Sequence, residues 1–485
     1  MRHLEIEPDH AGTRLLQRIG GLTCCGSISA KRCRVRRCTT IGLCFCLFSL
    51  LLVLQSCISP KSSSPKISLS NWSAQNNQWM LAQITPNTVV PDPVPTRRRL
   101  IVSYDIAPEV FPQGFHRSAT YDNALAAIAF TVKGNTHSAA YTLHAITRLI
   151  RADGSLWFSY NTANNWPDEN YHESAMVRAG AIGWVGYALA FYLRHVSDCE
   201  PGDRGCLQEQ AHFLKAANRL AEYALSLQVD DPPDPRHGLL RLGYATVQLA
   251  YRAETNEVIE IYLDEPALGI SSENNLSAWF FFRELYRLTG EQRWKEAAAR
   301  IRDGLLAGAW NDGIGQLNRG FHFSGTPDPV KALDCASWGV LFFLEIGETK
   351  KAATALAVMD EYYLAKDGEL TGYRPYFDHP IYRSAKVGRF FYGNDPRKEW
   401  RDLPLVWTEG TLGVALAYLR SGMPEKARTI IERLRVLQVE SSGLRYASQD
   451  VPYEMASAPG VAASAWLVLV AEAMLGNPLA EAFWQ

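Results

Sequence analysis

Past residue 57 the chain has only three cysteines, Cys199, Cys206 and Cys335. No CxxC and no paired His/Cys spacing occurs, so neither a metal module nor a disulfide-built scaffold is expected. Clustered positive charge is missing as well. The net charge is -1, and removing the leader leaves 41 basic against 47 acidic residues. A nucleic-acid partner, which needs Lys and Arg gathered against phosphates, is therefore not expected. There is no Walker loop, no nucleophile elbow, no HExxH and no dinucleotide fingerprint after a strand, so no cofactor is expected. The uncharged apolar run 41–54 falls short of the roughly 20 residues a spanning helix needs.

What the N-terminus does have is an export pattern. KRCRVRR (31–37) is basic, and IGLCFCLFSLLLVL (41–54) is apolar, the order of a secretory signal. Leu54-Gln55-Ser56-Cys57 resembles the bacterial lipobox, whose cysteine is lipidated and becomes the mature N-terminus. That resemblance implies lipidation at Cys57. An uncleaved signal anchor is the competing reading. Both make the membrane a partner through the N-terminus and put the body on the periplasmic or cell-envelope side. Residues 58–96, rich in Ser, Pro, Asn and Gln, read as a flexible tether. The remaining 97–485 form one domain. Cys199 and Cys206 bracket the loop DCEPGDRGC, and an exported chain can oxidise such a pair. Cys335, in an apolar helix start, reads as an inert thiol.

From residue 121 two kinds of helix alternate. Segments 122–132, 176–193, 274–288, 334–346, 410–420 and 460–475 are apolar nearly all round, so each should be buried on every side. Segments 136–151, 207–228, 291–306, 349–364 and 424–438 carry a one-sided stripe and should face solvent. Gly134, Gly290, Gly347, Gly422 and Gly476 follow apolar helices as left-handed stops. Inner helices covered by outer ones predict an all-α fold, an (α/α)6 toroid of six helical hairpins. The sixth outer helix comes from the C-terminal NPLAEAFW or from the segment before Tyr121. The long loops 152–175, 229–272, 307–333, 365–409 and 439–459 all precede apolar helices, which puts them on one face. Two contain small β-hairpins, at 239–264 and 314–325.

This pattern, from about residue 100 onward, resembles the six-hairpin glycosidase superfamily of (α/α)6 barrels. The resemblance implies an active site at the N-terminal ends of the inner helices, where carboxylates and aromatics meet a polysaccharide or oligosaccharide. Here those ends carry Tyr121-Asp122-Asn123, His172-Glu173 with Arg178, Ser272-Glu273-Asn274, Asp334 with Trp338, Trp407-Thr408-Glu409 and Tyr453-Glu454. Each acidic group alone is explained by helix capping. Six such starts on one mouth, with aromatics beside them, are not. Glycoside hydrolysis needs one carboxylic acid and one carboxylate flanking the scissile bond. The expected catalytic residues are Glu273 and Glu409, with Asp122 in reserve. Tyr121, Trp338, Trp407 and Tyr453 would stack on sugar faces. Arg178, Asn274 and His322 would bind hydroxyls or a uronate, and Asp334 would line the site. The leading expectation is an exported, membrane-tethered glycoside hydrolase. A sugar epimerase or polysaccharide lyase on the same toroid is an alternative, using His172, His322, Arg178 or Tyr453 for proton transfer. A non-catalytic glycan-binding or assembly lipoprotein is another.

Overall fold

Six inner helices form a closed ring in the computed structural model, which describes residues 68–84, 100–110, 114–162, 164–167, 172–196, 199–200, 202–252, 257–379, 398–440, 442–451 and 454–485. Helix α1 (Leu69–Ala82) is followed by α2 (Thr120–Val132), α3 (Thr136–Thr147), α4 (Ala179–His195), α5 (Arg204–Ser226), α6 (Ser272–Thr289) and α7 (Gln292–Gly304). Then come α8 (Leu333–Glu345), α9 (Thr349–Val358), α10 (Thr408–Arg420), α11 (Pro424–Arg433), α12 (Val461–Met474) and the short α13 (Pro478–Ala482). Around the ring α2 packs on α4, α4 on α6, α6 on α8, α8 on α10, α10 on α12, and α12 back on α2. Outside it α3, α5, α7, α9 and α11 each cover the inner helix that precedes them. The fold is an all-α (α/α)6 toroid.

The sixth outer helix is α1, which packs on α12. Residues 69–82 are thus a wall of the barrel, which corrects the expectation of a tether across 58–96. Its buried face hides polar side chains beside Trp72, Trp79 and Met80. Ser73 donates to Glu472, Asn76 to Gln438 and Asn77 to Asn135. Polar residues that find buried partners leave no apolar stripe to read. The lipobox Cys57 lies outside the described residues. Among the described residues no helix is long and apolar enough to cross a membrane.

At all five joints glycine sits in the left-handed region, with φ between 72° and 77°. These stops define the plain face. The opposite face carries every strand. β1 (Arg117–Ala119) pairs with β2 (Ser159–Asn161) beside the start of α2. β3 (Val177–Arg178), β4 (Arg241–Arg252), β5 (Glu257–Ser271), β8 (Gly320–Phe321) and β9 (Pro327–Asp328) form one antiparallel sheet. β6 (Trp310–Asn311) pairs with β7 (Gln316–Leu317), and β10 (Leu364–Asp367) with β11 (Leu370–Tyr373). The segment 314–325 is therefore not one hairpin but parts of two short ladders. A disulfide between Cys199 and Cys206 ties the loop before α5 to the first turn of that helix.

One device ties this loop face to the ring. The fourth residue of four inner helices is a buried polar side chain that accepts a backbone N–H from the loop packed beside it. Asn123 takes Ile101, Asn275 takes Leu240, Thr411 takes Tyr373 and Ser464 takes Leu444. The α4–α6 contact is closest because α4 is glycine-lined. A Cβ on Gly186 would lie 2.2 Å from the Phe281 ring, and one on Gly183 would lie 3.0 Å from the Ala278 backbone.

The barrel axis is filled with indoles from alternate inner helices. Trp184 of α4, Trp338 of α8 and Trp466 of α12 meet with ring centroids 5.6–6.2 Å apart. Trp484, beyond α13, closes the plain end by stacking on Phe280 at 4.5 Å, and its backbone N–H donates to the Tyr187 hydroxyl. Replacing a fully packed aromatic leaves a cavity that a ring of helices cannot collapse into. Trp484→Ala should therefore cost about 3–5 kcal/mol of stability, read from the shift of the urea unfolding midpoint. A loss near that of a surface substitution would mean that the plain end is not packed as described.

Candidate active site

None of the four first-turn acids is consumed by capping. α6 is capped by the Ser271 hydroxyl, which accepts from the Asn274 N–H. No side chain caps α2, α8 or α10. Asp122, Glu273, Asp334 and Glu409 instead project into the space inside the ring, close enough to feel one another's charge. Glu409 senses Asp122 and Glu273, and Asp334 senses Glu273 and Glu409.

Glu409 is 5% exposed and Asp122 4%, while Glu273 and Asp334 are half-buried and reach solvent. Burial is the largest influence on all four. It pushes Glu409 up to about 8, helped by the charges of Asp122 and Glu273 and opposed by hydrogen bonds from Tyr121 and Tyr446. Burial alone drives Glu273 up. Burial, then Glu273 and Glu409, hold Asp334 well above the carboxylate range, and its buried Oδ1 makes no hydrogen bond. Asp122 rises to about 6 through burial, against a hydrogen bond from Ser103 and the nearby Arg117. A cluster that cannot ionise together keeps protons at neutral pH, the condition for a carboxyl group to act as an acid.

Tyr121 links this cluster to the core. Its hydroxyl donates to Glu409 Oε1 at 2.5 Å and accepts from Trp466 Nε1 at 2.8 Å. Its ring stands edge-on to Trp184 at 5.1 Å. Three side chains not singled out from the sequence also face the mouth. Tyr446 bonds Glu409 and packs against Tyr104 at 5.6 Å. Tyr376 lies within the fields of Glu273, Asp334 and Glu454. His379 packs against Tyr376 at 5.2 Å and is lowered to about 4 by burial and by Arg319. All three come from irregular loop segments with no helical period to flag them.

Other expected site residues are placed differently. Trp338 is 2% exposed, one turn inside α8, and belongs to the axial indole core. Trp407 is 6% exposed; its ring covers Gly410, where a Cβ would come within 2.2 Å, so it offers no open platform. The Arg178 guanidinium donates to the carbonyls of Val177, Tyr244 and Ala245, pinning β3 to β4 instead of pointing at a substrate. His322 is exposed on the β8–β9 turn, and among the described residues nothing joins it to the carboxylates. Asn274 is half-buried, with its amide packed onto Gly180 of α4. Tyr453 lies outside the described residues. Among the described residues no group of three or more His, Cys, Asp and Glu is arranged to hold a metal ion.

Solved structures share this (α/α)6 fold. A glycosidase in complex with glucose is similar over 84% of this chain and 97% of its own, with TM-score 0.53 and 12% identity. Cellobiose 2-epimerase from Bacillus thermoamylovorans is similar over 84% and 99%, with TM-score 0.52 and 12% identity. A mannosylglycerate hydrolase of glycoside hydrolase family 63 from Thermus thermophilus, in complex with glucose, covers 83% and 99%, with TM-score 0.50 and 14% identity. At these identities the likeness is one of fold. No protein-family model matches the chain, and no curated protein matches its sequence.

The raised Glu409 makes stability fall with pH. Below the ordinary glutamate range both folded and unfolded chains are protonated. Above it the unfolded chain releases a proton that the folded chain keeps until about pH 8, so folding is disfavoured across that window. Glu409→Gln should therefore melt at an increasingly higher temperature than wild type as pH goes from about 5 to about 9. A difference that stays constant, or shrinks, contradicts the assignment.

Proposed function

We propose that this chain is a glycoside hydrolase acting on a polysaccharide or oligosaccharide, exported and held at a membrane through its N-terminus. The observation that carries the reading is the pair Glu273 and Glu409 in one mouth, on inner helices separated by α8. Burial and the charges of Asp122 and Glu273 push Glu409 up further than Glu273, to about 8, so it keeps its proton at neutral pH and is the proton donor to the leaving glycosidic oxygen. Glu273, raised less by burial and half-buried at the mouth, is the group that ionises first. It is the base that takes a proton from the attacking water. Carboxyls standing wide enough apart to admit that water would invert the anomeric carbon. The glucose-bound structures that share the fold support a sugar ligand.

An epimerase is the second reading, favoured by His379 beside Tyr376 near Glu273 and Asp334. The two readings separate on product: hydrolysis releases new reducing ends, whereas epimerisation changes a reducing sugar without adding any.

Glu273→Gln and Glu409→Gln should each lower kcat by about 10²–10⁴-fold with unchanged melting cooperativity, measured as reducing-end release from a polysaccharide panel. Turnover that survives both substitutions refutes the hydrolytic assignment. Cys57→Ala should move the chain from the membrane fraction to the soluble fraction after lysis. A chain that stays membrane-bound favours an uncleaved anchor over lipidation.

A further inference from the structure

Among the described residues the exposed Trp and Phe side chains are Trp166 and Phe323, and both stand on loops of the mouth face. Trp166 is 64% exposed, and its backbone is hydrogen-bonded to its neighbours. Asn165 N–H donates to the Asn161 carbonyl at 2.8 Å, and Asn161 N–H to the Trp166 carbonyl at 2.7 Å. Trp166 N–H donates to Asn164 Oδ1 at 2.9 Å. Asn165 takes a left-handed φ of 61°, a conformation asparagine tolerates better than most residues. Trp157 lies beside Trp166, with centroids 6.1 Å apart and planes at 33°. Arg151 covers the Trp157 ring at 5.4 Å.

The pair is fixed to the ring. The turn rises from β2, which pairs with the strand leading into α2. The Thr120 hydroxyl donates to the Trp157 carbonyl at 2.6 Å, one residue before Tyr121. A cavity of about 350 Å³ opens next to the turn, lined by Leu100, Ala145, Arg148, Leu149 and Asn165. An indole face edged by amides and a guanidinium suits the apolar face of a pyranose and its rim hydroxyls. A lipid surface would call for a continuous apolar stripe or clustered lysines. The neighbours here are Asn164, Asn165 and Arg151.

We propose that Trp157 and Trp166 form a distal glycan subsite on the rim beside α2, which binds a pyranose ring of a long chain. The subsite rests on the hydrolytic reading and deepens it, because it makes the substrate a polymer and not a disaccharide.

Native affinity electrophoresis of the full chain through gels containing soluble starch, xylan, carboxymethylcellulose or alginate reads binding without turnover. At least one polymer should retard the protein. Trp166→Ala should weaken that retardation about two- to tenfold, and Trp166→Tyr should keep most of it. Trp166 is exposed, and an unchanged circular dichroism spectrum and melting temperature check that the variant folds. No retardation in any gel overturns the proposal, as does equal retardation of wild type and Trp166→Ala. Trp166-dependent binding to anionic phosphatidylglycerol vesicles without glycan binding also overturns it. If Trp166-dependent retardation occurs but no polymer is cut, the hydrolytic reading fails while the subsite stands.

Discussion

A single hydroxyl joins the packed core of this protein to its candidate chemistry. The Tyr121 hydroxyl accepts a hydrogen bond from the Trp466 indole N–H and donates one to Glu409. The three residues come from α2, α12 and α10, which meet only because the ring closes: α12 lies between the other two. Trp466 is itself held by the axial stack with Trp338 and Trp184. The position of Glu409 is thus set by the barrel as a whole and not by its own loop. A shift of any of these helices would break this chain of hydrogen bonds, leaving the buried Trp466 indole donor without its partner and Glu409 with Tyr446 alone, at a cost of about 1–3 kcal/mol for the orphaned donor.

The mouth works against the fold that holds it. Four acids from four inner helices crowd one mouth, and one oxygen of Asp334 has no hydrogen bond. Such strain persists only where surrounding structure over-determines it. Here the determination comes from below, through the indole core, and from the side, through the Asn123, Asn275, Thr411 and Ser464 clamps on the loops. The loops can then vary in length and content while the helix starts keep their places.

The ring was largely legible in the sequence. Helices hydrophobic all round must be buried, and glycines at the joints mark where each turns back. The outer helix α1 was not legible, because it buries Ser73, Asn76 and Asn77 against polar partners far along the chain. The four acids were legible as helix starts, but not as free of capping duty, which only the hydrogen bonds reveal. Aromatics misled. Trp338 and Trp407 sit where a sugar platform is expected, yet one fills the axis and the other covers a glycine. Side-chain direction decides such cases, and residue spacing does not carry it. Tyr446, Tyr376 and His379 were invisible for the opposite reason, since irregular loops bring them to the mouth without any period.

The central claim is that Glu409 is a buried carboxyl group, poised by its neighbours to exchange a proton near neutral pH. A ¹³C NMR titration of the chain labelled at the glutamate carboxyl carbon tests it directly. One resonance should titrate near pH 8, well above the surface glutamates, and vanish in Glu409→Gln. If every glutamate resonance titrates in the ordinary carboxylate range, the mouth is open to water and the proposed division of acid and base is wrong.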